Sequence, residues 1–181
     1  AVDISFFRSV LLNDLYIEDQ DQDTLFFVSR VKVSLKKINL GKKTVNVKNI
    51  RLTNPRANIQ KKDGKKASNI QFLIDFIKKL PMDSEWQILT PSLQIVEGQF
   101  LYKNYPAERA MLSKFNPGNI GIQNINLVLE DFMQLSDTLS FSIKELSFTE
   151  SSGFSLEQLQ AVVNYSPRGI LLKDFLIRTP R

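Results

Sequence analysis

The 181-residue chain contains neither cysteine nor histidine. Without cysteine no disulfide can form, and the redox compartment leaves no trace in the sequence. Without histidine the usual general base and the commonest metal ligand are missing, together with every Ser-His and Cys-His arrangement. Long apolar runs are missing too. Stretches such as Leu25-Phe26-Phe27-Val28 extend only a few residues, so neither a transmembrane helix nor a signal peptide is read in the sequence. Together these absences argue for a non-enzymatic protein with no metal and no cofactor.

What remains is enough to fold. Hydrophobic residues make up 43% of the chain, sufficient for a core and too many for a disordered polymer. The length fits one unit over residues 1–181, or one segment of a longer repetitive architecture. Ala1-Val2-Asp3-Ile4-Ser5-Phe6-Phe7 reads like the middle of a strand, and Arg178-Thr179-Pro180-Arg181 stops abruptly after one. Both ends suggest a segment taken from a longer chain. The net charge of +5 arises partly from two lysine clusters, Lys36, Lys37, Lys42 and Lys43, then Lys61, Lys62, Lys65 and Lys66. Such runs are read first as solvated turns, with a nucleic-acid or anionic membrane surface as the other readings.

An eight-residue pattern recurs seven times: apolar–any–apolar, two polar residues, apolar–any–apolar. The clearest copies are Val45 to Leu52, Ile120 to Leu127 and Phe141 to Phe148; others begin at Val10, Val33 and Ile170. A degenerate copy runs from Leu93 to Phe100, with Gly98 in place of the third apolar residue. In a strand, alternate residues face opposite sides, so the two halves of an octad would face opposite ways. One extra residue at the polar pair, a β-bulge, cancels the slip and keeps all four apolar residues on one face. Bulges repeated at one level would fold the sheet into a trough. A hairpin at the polar pair is the competing reading, but two-residue hairpins favour Asn-Gly or Asp-Gly. Helical octads are weaker still, being rich in Val, Ile, Phe and Asn.

Along the chain, strands are expected at 10–17, 25–40, 45–60, 85–104, 120–130, 138–150, 159–165 and 170–178, with Trp86 near the start of the fourth. Turns are expected at Glu18–Asp23, Lys61–Lys66, Phe115–Asn119 and Ser166–Gly169. Ala107 to Leu112 is ambiguous. One helix is expected at about 69–80. Ser68 or Asn69 would cap it, and Ile70, Leu73, Ile74, Ile77 and Leu80 would share one face. Phe72 and Phe76 widen that face, Lys78 and Lys79 suit the negative end of the dipole, and Pro81 follows. Such a helix would plug or pack against an open sheet edge, or simply face the core. The fold class is therefore mainly β with one internal α-helix, a folded-over antiparallel sheet forming a groove.

The order of several short motifs carries a resemblance. They are the Leu15-Tyr16-Ile17-Glu18-Asp19 strand with Asp23-Thr24-Leu25 after it, a lysine-flanked strand pair, and Asn69-Ile70-Gln71-Phe72-Leu73-Ile74. Phe115-Asn116-Pro117 and Gly169-Ile170-Leu171-Leu172-Lys173-Asp174-Phe175 through Arg178-Thr179-Pro180 complete the series. From about Leu12 to Pro180 the chain resembles the N-terminal portion of the TamB-like translocation and assembly module proteins, within the AsmA-like superfamily. The resemblance implies a β-groove in a periplasm-spanning protein anchored to the inner membrane by a segment absent here. It also implies phospholipid as cargo, an outer-membrane barrel partner of the TamA type, and a role in moving phospholipid toward the outer membrane and assisting outer-membrane protein assembly.

Candidate groove-lining residues are the octad apolar positions Val45, Val47, Ile50, Leu52, Ile120, Ile122, Ile125, Leu127, Phe141, Ile143, Leu146 and Phe148. Each could equally be plain core. The alternative function is a scaffold or chaperone-like module accepting extended clients at open strand edges. Asp14, Glu18, Asp19, Asp21 and Asp23 could hold a divalent cation, but the glycine and terminal glutamate of an EF-hand loop are missing, so a solvated turn is expected. Nucleic acid is not expected as a partner, because aromatic and basic residues do not interleave.

Overall fold

A computed structural model describes residues 9–39, 41, 44–62, 67–79, 87–89, 92–105, 116–135 and 138–180. Lys42, Lys43, Lys65, Lys66, Trp86, Ala107 to Leu112 and Phe115 lie outside the described residues, as does Leu80 with Pro81.

Over its described residues every octad lies within a strand, not in a pair joined by a hairpin. The elements are β1 (Ser9–Glu18), β2 (Thr24–Asn39), β3 (Thr44–Thr53), β4 (Arg56–Lys61), α1 (Gln71–Lys79), β5 (Gln87–Leu89), β6 (Ser92–Asn104), β7 (Asn119–Leu135), β8 (Thr138–Glu150), β9 (Ser155–Leu156), β10 (Gln158–Ser166) and β11 (Gly169–Arg178). All eleven strands belong to one sheet. From one rim it reads β11, β10, β8, β7, β6, then β3 and β4 end to end, then β2, with β1 on the opposite rim. Pro167 and Arg168 form the two-residue loop between β10 and β11, whose paired ends are Ser166 and Gly169.

The sheet is an antiparallel meander on either side of one seam. There β6 runs parallel to β3 through Ile50↔Leu93 and Leu52↔Ile95, and parallel to β4 through Ala57↔Phe100. The short β5 is also parallel to β3. The connection between β4 and β6 allows this: it carries α1 and is long enough for a crossover, whereas a two-residue hairpin such as that between β10 and β11 can join only antiparallel neighbours.

The expected bulges form an aligned crease. Asp14 in β1, Asn54 between β3 and β4, Glu97 in β6 and Asn124 in β7 have left-handed φ values of 51°, 49°, 55° and 54°. Asn and Asp tolerate that region better than other non-glycine residues, because their short polar side chains bond locally. The pairs Asn13↔Arg30, Arg30↔Thr53 and Thr53↔Val96 lie on one side of the line. Leu15↔Val28 and Arg56↔Gln99 lie on the other. Backbone bonds continue across the seam at this level, from Asn54 N to Val96 O at 2.9 Å and from Gln99 N to Pro55 O at 2.8 Å. Side chains satisfy other groups along the crease. The Ser29 hydroxyl donates to Thr53 O at 2.8 Å. Asn126 serves two strands, accepting from Glu97 N at 3.2 Å and donating to Asn124 O at 3.1 Å.

Other copies bulge differently. Lys36, Lys48 and Lys144, each at the fourth octad position, are the residues skipped as pairing passes through β2, β3 and β8. Asp131 in β7 and Asp174 in β11 again adopt positive φ, at 56° and 51°.

Two contacts establish that a bulge preserves the face. A Cβ built on Gly98 would meet Ile95 Cγ2 at 2.8 Å and Ile125 Cβ at 3.2 Å. Ile95 precedes the bulge of β6 and Gly98 follows it, so both halves of that octad look the same way, and glycine is required by the close approach. Phe132, just past Asp131, stacks on Phe141 with ring centroids 6.5 Å apart. Phe141 lies two residues from Ile143, the partner of Leu129, so Leu129 and Phe132 share a face across their bulge.

Among the described residues, the buried hydrophobic side chains are Leu25, Val28, Val31, Val47, Leu156, Ala161 and Val163. No second sheet lies over them among the described strands. The helix occupies most of its expected span. Ile74 N bonds Ile70 O at 3.2 Å, and Gln71 N bonds Ser68 O at 3.1 Å. Phe72 and Leu73 in its first turn are half-buried. Ile74 and Phe76 remain 36% and 59% exposed.

Candidate apolar groove

Directly paired residues point to the same side of a sheet, so the registers assemble the octads into rows. Above the crease, Val10, Val33, Ile50, Leu93, Leu129 and Ile143 form one row across six strands. The next is Leu12, Val31, Leu52, Ile95, Leu127 and Leu146. Below it, Ile17, Phe26, Ala57, Phe100 and Ile122 form a third, and Ile59, Tyr102 and Ile120 a fourth. The opposite face is polar by comparison: Leu11, Lys32, Arg51, Gln94, Val128 and Glu145 make one of its rows.

Most sequence candidates therefore converge on one face. Ile50, Leu52, Leu127, Ile143 and Leu146 lie above the crease. Ile120 and Ile122 lie below it, and Ile125, next to Asn124, lies at the crease facing Gly98. Phe141 pairs with Val163 of β10. Phe148 pairs with Leu156 and meets Phe154 at 6.1 Å. Val47 pairs with Leu35 and is buried, a core residue at the end of the sheet. The side chain of Val45 lies outside the described residues. The remaining described candidates are only half-buried, so their face is apolar but unsealed.

Sequence reasoning missed Phe26, Val31, Ala57 and Leu129 as members of these rows, and Phe132 as a neighbour of Phe141 on their face. Two signals were available. Ile50-Arg51-Leu52-Thr53-Asn54-Pro55-Arg56-Ala57 repeats the octad with proline in the sixth place. Leu127-Val128-Leu129-Glu130-Asp131-Phe132 begins another copy directly after the previous one. Both carry an Asn or Asp with positive φ at the fifth position.

The acidic turn fastens the loop before α1 to the sheet. Asp19 is buried at 7% exposure. Its Oδ1 accepts from the amides of Asp21 and Asp23 at 2.9 and 3.0 Å, and its Oδ2 from Asn69 Nδ2 at 3.0 Å. Asn69 also donates to Asn58 O and accepts from Gln60 N, at 3.0 and 2.9 Å. Its side chain thus ties β4 to the turn instead of capping the helix. Burial would raise the Asp19 carboxyl, but the Asn69 bond and the two backbone amides outweigh it and hold it below its ordinary value. Lys62 bridges Asp21 and Asp23 at 3.2 and 2.7 Å, and those carboxylates push its ammonium group upward. A cleft of about 390 Å³ lies beside this knot, lined by Asp19, Lys62, Asn69, Phe72 and Asp75 among others.

Glu150, at the end of β8, is a second buried carboxylate. The Ser152 hydroxyl and amide lower its pKa; burial opposes them, and Ser151 adds to the lowering. Among the described residues, no three His, Cys, Asp or Glu side chains are grouped so as to hold a metal ion. No described helix is long and apolar enough to cross a membrane.

No family model matches the sequence, and no curated protein matches it.

Proposed function

We propose that this chain is a non-enzymatic segment of a periplasm-spanning envelope protein, anchored to the inner membrane by a part not present here. Its apolar face carries phospholipid acyl chains toward the outer membrane and supports outer-membrane protein assembly, with a TamA-type barrel as partner of the longer protein. The observation that carries the reading is the aligned crease, which keeps Leu52, Ile95 and Leu127 on the same side as Ala57, Phe100 and Ile122. An apolar face of this extent, half-exposed, is the usual form of a binding surface. Shielding an acyl chain there contributes roughly 0.8 kcal/mol per methylene. That holds a lipid without a polar clamp and lets it slide. The test is native mass spectrometry of the chain purified from membrane-containing lysate, with photoreactive residues at Ile122 and Ile143. Co-purified phospholipid and crosslinks to it are expected; a lipid-free protein with no lipid crosslink defeats the proposal.

A second reading has its own support. Every residue of β11 is exposed, including Ile170, Leu172, Phe175 and Ile177, and among the described strands β1 pairs only with β2. An extended client could add to either rim by β-augmentation. Protection of β11 amides on adding an outer-membrane strand peptide supports this reading. Unchanged exchange, with a clear response to lipid, rejects it.

A further inference from the structure

We infer that β11 is a self-complementary edge that pairs antiparallel with β11 of a second copy of this chain, joining two apolar faces into one. The rim is the same one that the client reading uses, but it is committed here to a different occupant. What the apolar face carries does not enter.

The octad reads alike in both directions, with apolar residues at the first, third, sixth and eighth places. Antiparallel octads can therefore match first with eighth and third with sixth. The sheet already contains such a joint. β1 meets the octad Phe26-Phe27-Val28-Ser29-Arg30-Val31-Lys32-Val33 of β2 through Val10↔Val33, Leu12↔Val31, Leu15↔Val28 and Ile17↔Phe26. Val28 and Val31 are buried by it. Between the apolar pairs, Asn13 stands opposite Arg30 and accepts from its Nε at 3.4 Å.

The same register on β11 sets Ile170 opposite Ile177 of the second copy, and Leu172 opposite Phe175 of the second copy. A twofold axis normal to the sheet relates the two strands and keeps each residue on its own face. In a regular strand, residues seven or three apart lie on opposite faces, so this pairing would be forbidden. The bulge at Asp174, with φ 51°, removes the conflict. Ile170, Leu172 and Ile177 pair with Tyr165, Val163 and Leu159 of β10, which share a face of that regularly alternating strand. At the axis, Lys173 stands opposite Asp174 of the second copy, and the reverse pair mirrors it. Opposite charges directly across a ladder are stabilising. Ile170 and Phe175 are 68% and 52% exposed, and pairing covers both.

β1 is a poorer edge for this purpose. The joints between β1 and β11 leave the two strands running in the same direction. A head-to-tail joint would therefore be parallel, and matched octads would bring Asp14 beside Asp174. β1 against itself would gather two Asp14 carboxylates with only Asn13 opposite them. A single edge of ten residues is a small interface, so the dimer dissociates on dilution.

The experiment is sedimentation velocity of the whole chain over a dilution series, in buffer without lipid or detergent. A dimer that dissociates on dilution is expected, with hydrogen exchange at β11 amides, and not at β1 amides, slowing as concentration rises. Lys173→Glu and Asp174→Lys should each weaken self-association about tenfold. An equimolar mixture of the two should recover the parent affinity, because each new charge then faces its opposite on the other chain. Circular dichroism matching the parent chain checks that both variants fold. Register is read by cysteines placed in this cysteine-free sequence. Chains with Leu172→Cys mixed with chains with Phe175→Cys should form a disulfide faster than either alone, since like positions lie about 10 Å apart along the strands. A monomer at every concentration, full affinity in Lys173→Glu, no recovery in the mixture, no preference for the mixed disulfide, or slowed exchange at β1 in place of β11 would each overturn the inference. A monomer whose β11 amides are protected by an outer-membrane strand peptide leaves the client reading standing. The acyl-chain proposal is tested separately, at Ile122 and Ile143.

Discussion

β2 and β11 carry the same octad and end in opposite circumstances. β2 lies inside the sheet, flanked by β1 on one side and by β3 and β4 on the other, and its Val28 is completely buried. Among the described strands β11 has one neighbour, and its Leu172 is 50% exposed. The comparison teaches that the octad specifies a bent strand with one apolar face, while burial comes from the neighbours. A pattern legible in eight residues therefore says which way a side chain points before it says how far from water it sits.

The sharpest way to break the comparison is to place the same charge on both strands. Val28→Asp puts a carboxylate with no partner into the most buried position and should cost about 3–5 kcal/mol, or prevent folding. Leu172→Asp on the rim should change stability by less than about 0.5 kcal/mol. Urea denaturation of both variants checks this, and equal losses would mean that β11 is as enclosed as β2. A smaller effect is expected at the crease. Asn124→Val forces a β-branched residue into left-handed backbone and should cost about 1–2 kcal/mol, whereas Asn124→Gly should be close to neutral. Equal costs would show that the Asn124 side chain, not its backbone conformation, is what the fold requires.

The smallest effect belongs to the buried carboxylates at the two turns. Asp19 and Glu150 both have lowered native pKa values, so each contributes stability that is fully present above its ordinary value of 3.8 or 4.5. That contribution fades as the pH falls through the lowered native values, because the unfolded chain then binds protons more readily. Denaturation midpoints measured from neutral pH downward should stay flat and then drop below about pH 4. Asn69→Ala should lower stability at neutral pH and make the acid drop shallower, because the native Asp19 carboxyl then titrates closer to its ordinary value; an unchanged depth of the drop would show that this bond does not govern the acid response.

Much of the fold is legible in the sequence because period two and its one-residue slip are local properties. The strand positions, the bulges and the turn at Asn116–Asn119 all follow from residues within eight of one another, and the last closes with Asn119 N on Asn116 O at 2.9 Å. What does not follow is pairing. Nothing within β4 or β6 announces that Ala57 will meet Phe100 in parallel register, because that contact is decided by which free edge lies in reach. The same limit applies to the apolar face. Its octad members are readable, but Phe26 and Ala57 join only through neighbours that close the row. Asn69 shows the reverse error: a good capping residue by type, it is recruited by a buried carboxylate from a distant turn.

The parallel seam has one more consequence. Its partners, such as Ile50 and Leu93, lie on either side of the residues that carry α1, whereas β10 and β11 are joined by a tight reversal at Pro167 and Arg168 that leaves no slack. The entropy of closing a loop grows only with the logarithm of its length, about 0.6 kcal/mol for each doubling. The seam therefore sets no fixed length on the chain between β4 and β6. The length and composition of this connection can answer to something other than the sheet itself.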